Sequence, residues 1–218
     1  VAKLIVHGST REEALARMDE ALMQTHIVGL STNVQFLRHV VNSESFATAQ
    51  LDTALIPREA AVLFNQDKVG LPLAAAALVA HTLDQEAQKV QKADAQGWID
   101  PWAQRDSWRS HGATLRSFSA VYQEQPALLQ LTRAHTKGLQ VQVQGATEPL
   151  QFERLYSGAL DITLGTQRIQ ARVYDHGEVL HVFTPLGATS ITRVDALAHA
   201  GDTQGEAGRL TAPMPGKV

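Results

Sequence analysis

There is no cysteine anywhere in the 218 residues, so disulfides, thiol nucleophiles and cysteine-ligated metals are all excluded. Long hydrophobic runs are missing too: the longest, "GLPLAAAALVAHTL" at 70–83, is too short to span a bilayer. Neither sign of charge dominates, and a formal net charge of −3 gives no general attraction to nucleic acid or an anionic membrane. The chain contains no HExxH pair, Walker A loop, dinucleotide fingerprint or G-x-S-x-G elbow. The chain opens on Val1 rather than methionine, so the lack of a visible signal peptide carries little weight.

What is present is ordinary for a globular protein: 44% hydrophobic and 19% charged residues, enough for one large domain or two small ones. The first segment reads as strand, helix, helix. "AKLIVHG" is a compact apolar run suited to a buried strand. Thr10 with Glu13 three places on forms a capping-box pattern, and Ala14, Leu15, Met18 and Leu22 then recur at helical spacing. "STNVQFLRHVVNSESF" repeats the logic, with Thr32 or Asn33 as cap and Val34, Leu37, Val40 and Val41 facing inward. "LDTALIPREAAVLF" reads as a short extended piece, then a helical turn starting at Pro57.

A long helix follows, expected over 71–95, with Pro72 in its first turn and Gly97 past its end. Its first half is apolar on every side and rich in alanine, whereas residues 84–92 alternate charge and amide. A helix apolar all round has to be surrounded. His81 sits in that apolar half and needs a hydrogen-bond partner, for which a structural bond is the better expectation than a metal. After a tryptophan-rich linker at 97–112 the period changes to short alternating runs, about eight strands over 114–194. "YDHGEV" reads as a hairpin with His176-Gly177 at the turn, and "EQP" and "GATEP" as further turns. The fold class expected is therefore α+β, a mostly antiparallel eight-stranded barrel wrapped around a long helix. There is a tension in it, because eight strands normally enclose only their own side chains. The alanines at 74–77 would make the helix thin enough.

For chemistry the expectation is no catalytic residue, no cofactor-binding residue and no metal site. The nine histidines are scattered, and carboxylate pairs such as Glu12-Glu13 lie on a polar helix face. The strand arginines lack the interleaved aromatics of a nucleic-acid surface. Trp98, Trp102 and Trp108 fall within one short stretch, either plugging an end of the barrel or offering anchors to a partner. A different class, a small-molecule-binding β-barrel, would require an empty interior.

Several stretches carry a family likeness. "AKLIVHGSTREEALARMDEALMQTHIVGLSTNVQFL" resembles the C-terminal end of the biotin carboxylase domain of biotin-dependent acyl-CoA carboxylases, where an ATP-grasp enzyme's C-terminal subdomain closes. "TNVQFLRHVVNSESFATAQLDTALI" is most similar to the α subunit of 3-methylcrotonyl-CoA carboxylase, and "DPWAQRDSWRSHG" resembles the stretch after the long helix in those subunits. "LTAPMPGKV" resembles the opening strand of the biotin carrier domain. The resemblance implies three parts: residues 1–66 as a strand-and-helix remnant of biotin carboxylase, 67–205 as the linking β-barrel, and 206–218 as a linker and the start of the carrier domain.

The resemblance also implies a parent that uses ATP, magnesium and biotin to carboxylate an acyl-CoA, 3-methylcrotonyl-CoA first among candidates, in leucine degradation. In this chain the family's A-M-K-M biotin site is absent, since none of Lys3, Lys68, Lys89, Lys92, Lys137 and Lys217 has a methionine neighbour. The implied partners are the carboxyltransferase β subunit and the remainder of the α subunit, with no nucleic acid and no membrane. The implied docking residues are Trp98, Ile99, Pro101, Trp102 and Trp108, where the family has a protruding hook. The implied location is the cytoplasm of a bacterium, or the mitochondrial matrix in a eukaryote.

Overall fold

Residues 74–80 are seven in a row with 0–1% of their surface exposed. An α-helix turns once every 3.6 residues, so one lying on a surface would turn some of those seven to water. In the computed structural model, which describes residues 3–64, 69–90, 112–134 and 137–195, this helix runs through the inside of a closed barrel. The helix, α6 (Gly70–Val90), begins one residue earlier than the sequence suggests. The part expected beyond residue 90 lies outside the described residues.

Eight antiparallel strands surround α6: β1 (Ala113–Tyr122), β2 (Gln125–Ala134), β3 (Gly138–Val143), β4 (Ala146–Arg154), β5 (Leu160–Leu164), β6 (Gln167–His176), β7 (Val179–Thr184) and β8 (Gly187–Val194). Each pairs with its sequence neighbours, and β8 returns to β1 through Ser119↔Val194, Ala120↔Arg193 and Val121↔Thr192. Closure leaves no edge strand. Side chains alternate across each strand, so Leu129, Val141, Ile162, Leu180, Val182 and Ile191, each 0–1% exposed, all point at the helix. The size problem is solved as the alanines suggest. Ala74 to Ala77 reduce the helix to little more than its backbone width, and β3 to β8 close on it.

The turns are tighter than their residues imply. Gln123 and Glu124 both take positive φ (48° and 63°), as do Gln144 and Gly145 (51° and 85°), the geometry of a two-residue hairpin of type I′. Pro126 and Pro149, expected in turns, therefore lie within β2 and β4. The β6–β7 hairpin also differs from the expectation: His176 ends β6 opposite Val179, and Gly177-Glu178 make the turn. Gly177 has φ 65°, and glycine is the residue that adopts this at the first turn position without strain.

Five helices precede the barrel: α1 (Arg11–Met23), α2 (Val34–Val41), α3 (Glu44–Ala47), α4 (Leu55–Arg58) and α5 (Ala60–Leu63). Thr10 caps α1 by accepting from the Glu13 N–H at 3.2 Å, while Glu13 reaches back to Ser9 N at 2.7 Å, one residue outside the usual box. Three expectations need correction. Residues 3–8 form no strand, and Ile5 is 74% exposed. An apolar run becomes a strand only beside another, and among the described residues the barrel strands pair solely with one another. In α2, Asn33 occupies the cap position without a side-chain bond, and Leu37 is exposed while His39 is buried. That follows from Arg38, which is held on Asp19 and the Pro185 carbonyl and so fixes which way the helix faces. Lastly, Pro57 stands third in α4 rather than first; the leading N–H groups of a helix have no intrahelical partner, so the position tolerates it.

Candidate functional site

The polar half of α6 is fastened to the barrel mouth from several sides. Asp84, almost fully buried, accepts from Arg154 Nη1 of β4 and from Gln88 Nε2, both at 2.6 Å. Glu86 takes a bidentate contact from Arg116 of β1, both distances 2.8 Å. His81 Nε2 lies 2.8 Å from Asp175 Oδ2 of β6, which also accepts from Gln85. Burial works against the Asp175 charge, but the His81 and Gln85 bonds outweigh it and hold the carboxyl below its ordinary range. The structural bond expected for His81 is there. The collar explains why the sequence switches character at residue 84: the apolar half fills the barrel and the polar half answers the strands at its rim.

The barrel has two unlike outer faces. One is covered by the N-terminal segment. His26, between α1 and α2, stacks on Phe183 of β7 at 4.4 Å and places Nδ1 3.0 Å from the Tyr174 hydroxyl of β6. Gly29 lies against the His176 ring, and Gln35 against Gly187. Burial, and then the nearby Arg172 guanidinium, lower the His26 pKa; burial, and then His176, lower that of His181. Neutral imidazoles are thus favoured at this seam. A cleft of about 520 Å³ opens beside it, bordered by Met23, His26, Gln170, Arg172, Tyr174 and Phe183. No carboxylate borders the cleft, and its second hydroxyl, Thr184, is bonded to the Gly187 backbone; the His26–Tyr174 pair joins the N-terminal segment to the barrel.

The other outer face is open among the described residues. On β1 the outward positions are Leu115, Ser117, Ser119 and Val121, and on β2 they are Pro126, Leu128, Gln130 and Thr132. Gln140 and Gln142 extend it on β3. None carries a charge. The charged outward residues sit on β4 to β6: Glu153, Asp161, Arg168 and Arg172. Arg168 is paired with Asp161 at 2.6 Å, and that pairing, ahead of the opposing effect of burial, lowers the aspartate's pKa.

A family model described as the methylcrotonyl-CoA carboxylase alpha-subunit BT domain matches residues 70–196, more than half of the chain. The chain belongs to this family. A second model, the biotin carboxylase C-terminal domain, matches residues 1–58. Similar curated proteins include a methylcrotonoyl-CoA carboxylase subunit alpha, mitochondrial, of Dictyostelium discoideum, 40% identical over 57 residues, which cover 26% of this chain and 8% of that protein. A biotin carboxylase of Halalkalibacterium halodurans is 43% identical over 56 residues, 26% of this chain and 12% of that protein. A urea amidolyase of Lachancea kluyveri is 41% identical over 56 residues, 26% of this chain and 3% of that protein. The match therefore spans a small fraction of each relative's length.

The BT-domain match coincides with the helix and barrel, and the biotin carboxylase match with the helices that cover β6 and β7. The interface residues expected from the sequence, Trp98, Ile99, Pro101, Trp102 and Trp108, lie outside the described residues, as does Lys217. The small-molecule barrel is overturned, because α6 occupies the interior that a ligand would need. The seam around His26 was not anticipated, and nothing local announces it. The uncharged outer face was legible in principle, since "TLRSFSAVY" alternates and its outward set can be read by parity.

Proposed function

We propose that this chain is the assembly portion of the α subunit of a biotin-dependent acyl-CoA carboxylase, catalytically silent alone, which docks the carboxyltransferase β subunit. The observation that carries this reading is the filled barrel: a domain whose interior is packed with its own helix presents only its outside, which suits a joint between larger parts. The exposed Ile5, Leu30, Leu51 and Phe64 of the N-terminal segment suit contact with the remainder of the α subunit, its biotin carboxylase body. The parent reaction would carboxylate biotin with ATP and bicarbonate and pass the carboxyl group to an acyl-CoA, 3-methylcrotonyl-CoA by family likeness, within leucine degradation.

Among the described residues no three histidine, aspartate or glutamate side chains cluster as a metal site, and Lys3, Lys89 and Lys137 lack the methionine neighbours of a biotin site. Residues 206–218 would open the carrier domain. Among the described residues no helix is long and apolar enough to cross a membrane. A bacterial cytoplasm, or the matrix as for the Dictyostelium relative named mitochondrial, would suit the reading.

The test is titration of the chain with its cognate carboxyltransferase subunit by calorimetry. A complex is expected, at least tenfold weaker in the Trp98→Ala, Trp102→Ala double variant. No heat of binding, under conditions where the full α subunit binds, would refute the reading.

A further inference from the structure

The outer surface of the barrel is divided by charge, and the division identifies where a partner fits. The described outward positions on β1, β2 and β3 include no Asp, Glu, Lys or Arg, in a chain of which 19% is charged. Two large apolar side chains stand out from this face, Leu115 at 61% and Leu128 at 59% exposed. The register places Leu128 opposite Ser119, which in turn lies opposite Val194 of β8, itself 38% exposed, so an apolar row with one serine crosses three strands. The charges that solubilise the barrel wall sit on β4 to β6 instead. The face over β6 and β7 is already taken by residues 26–38.

Resting on the proposed pairing, we infer that the carboxyltransferase subunit docks on the β1–β2–β3 face and makes there a contact without ion pairs. Three observations favour this occupant. The centre of a protein–protein interface is depleted of charge while its rim stays polar, and here Glu124 and Lys137 stand at the strand ends, outside the uncharged set. A membrane surface would call for lysines or arginines beside the apolar groups, and nucleic acid for cations, and the face has neither. In the sequence the face also adjoins the expected docking stretch, because β1 starts directly after residues 97–112. Serine, threonine and glutamine provide neutral hydrogen bonds between the apolar anchors. Discrimination then comes from shape and from the penalty on any partner that brings a charge.

The experiment measures affinity of the whole chain for the cognate carboxyltransferase subunit, at 50 and then 500 mM salt, with Leu128→Arg and Ser119→Arg on the face and Thr163→Arg on β5 as control. Melting temperatures of all variants are checked first, and Gln130→Glu stands in if an arginine variant unfolds. Expected are wild-type affinity for Thr163→Arg, at least a hundredfold loss for the face variants, and less than a twofold change with salt. If wild type binds and the face variants bind equally well, the docking face is wrong while the pairing stands. If wild type does not bind, the pairing itself fails and this inference with it. A tenfold or greater weakening with salt would refute the ion-pair-free contact. Self-association of the chain alone, abolished by Leu128→Arg, would assign the face to a second copy and overturn the proposal.

Discussion

Replacing Ala76 by leucine tests the enclosed helix most directly. Ala76 has 0% of its surface exposed and sits within the seven residues that are covered on every side. Leucine adds three carbon atoms, and the barrel cannot make room cheaply. Each strand is hydrogen-bonded on both sides, so widening the ring means breaking a ladder rather than swinging an edge away. Overpacking a close-packed core costs about 1–3 kcal/mol, and a closed wall places this site at about 3. For a chain of this size that corresponds to a fall in melting temperature of roughly 6–12 °C. Ala87 lies on the same helix, beyond the apolar half, and is exposed. Ala87→Leu has similar helix propensity and should move stability by no more than about 0.5 kcal/mol. Thermal unfolding followed by far-UV circular dichroism compares the two. If Ala76→Leu is as mild as Ala87→Leu, the helix is not enclosed and the argument from the alanines fails.

Acidification should loosen the N-terminal segment. His26 and His181 have lowered pKa values, so the docked seam favours neutral rings; its stability is complete above about 6.5, the unfolded value, and falls as pH drops through the lowered folded ones. Asp19 and Asp175, also lowered, lose their contribution in the same direction but at lower pH, below about 3.8. Limited proteolysis within residues 3–64 should therefore accelerate between pH 7.5 and 5.5, and much less in His26→Phe, which keeps a ring on Phe183; equal acceleration would count against the seam. Asp84→Ala removes the acceptor for Arg154 and Gln88 at the barrel mouth and should cost about 1–2 kcal/mol by urea denaturation, discounted because Arg154 is 46% exposed; a neutral result would show that the collar does not hold the helix. Gly177→Ala meets no atom within 4 Å, so its cost of about 1 kcal/mol would be purely that of φ 65°, and a stabilised variant would refute the turn geometry.

Much of the barrel was legible because its signals are local. Period two in "LQVQVQ" fixes which residues share a face, and the same parity gives the uncharged set on β1 to β3 without any coordinates. The all-round apolar stretch with Ala74 to Ala77 told that this helix is surrounded and thin. Boundaries failed where one residue's preference competes with a tighter geometry. Glutamine and glutamate accept positive φ at 123 and 124, which frees Pro126 for the strand. The apolar run at 3–8 failed for a different reason, since apolarity states a need for cover and not the identity of what covers it.

The amino-acid sequence thus determined the alternation of strands, the position and slimness of the helix, and the absence of charge at the outward positions of β1 to β3. Only the tertiary structure decided that β8 closes on β1, that residues 26–38 lie over β6 and β7, and that His26 meets Tyr174 across 148 positions. Periodicity is a relation between near neighbours along the chain. Closure and docking depend on the register and shape of surfaces far apart in sequence, and these exist only once the chain has folded.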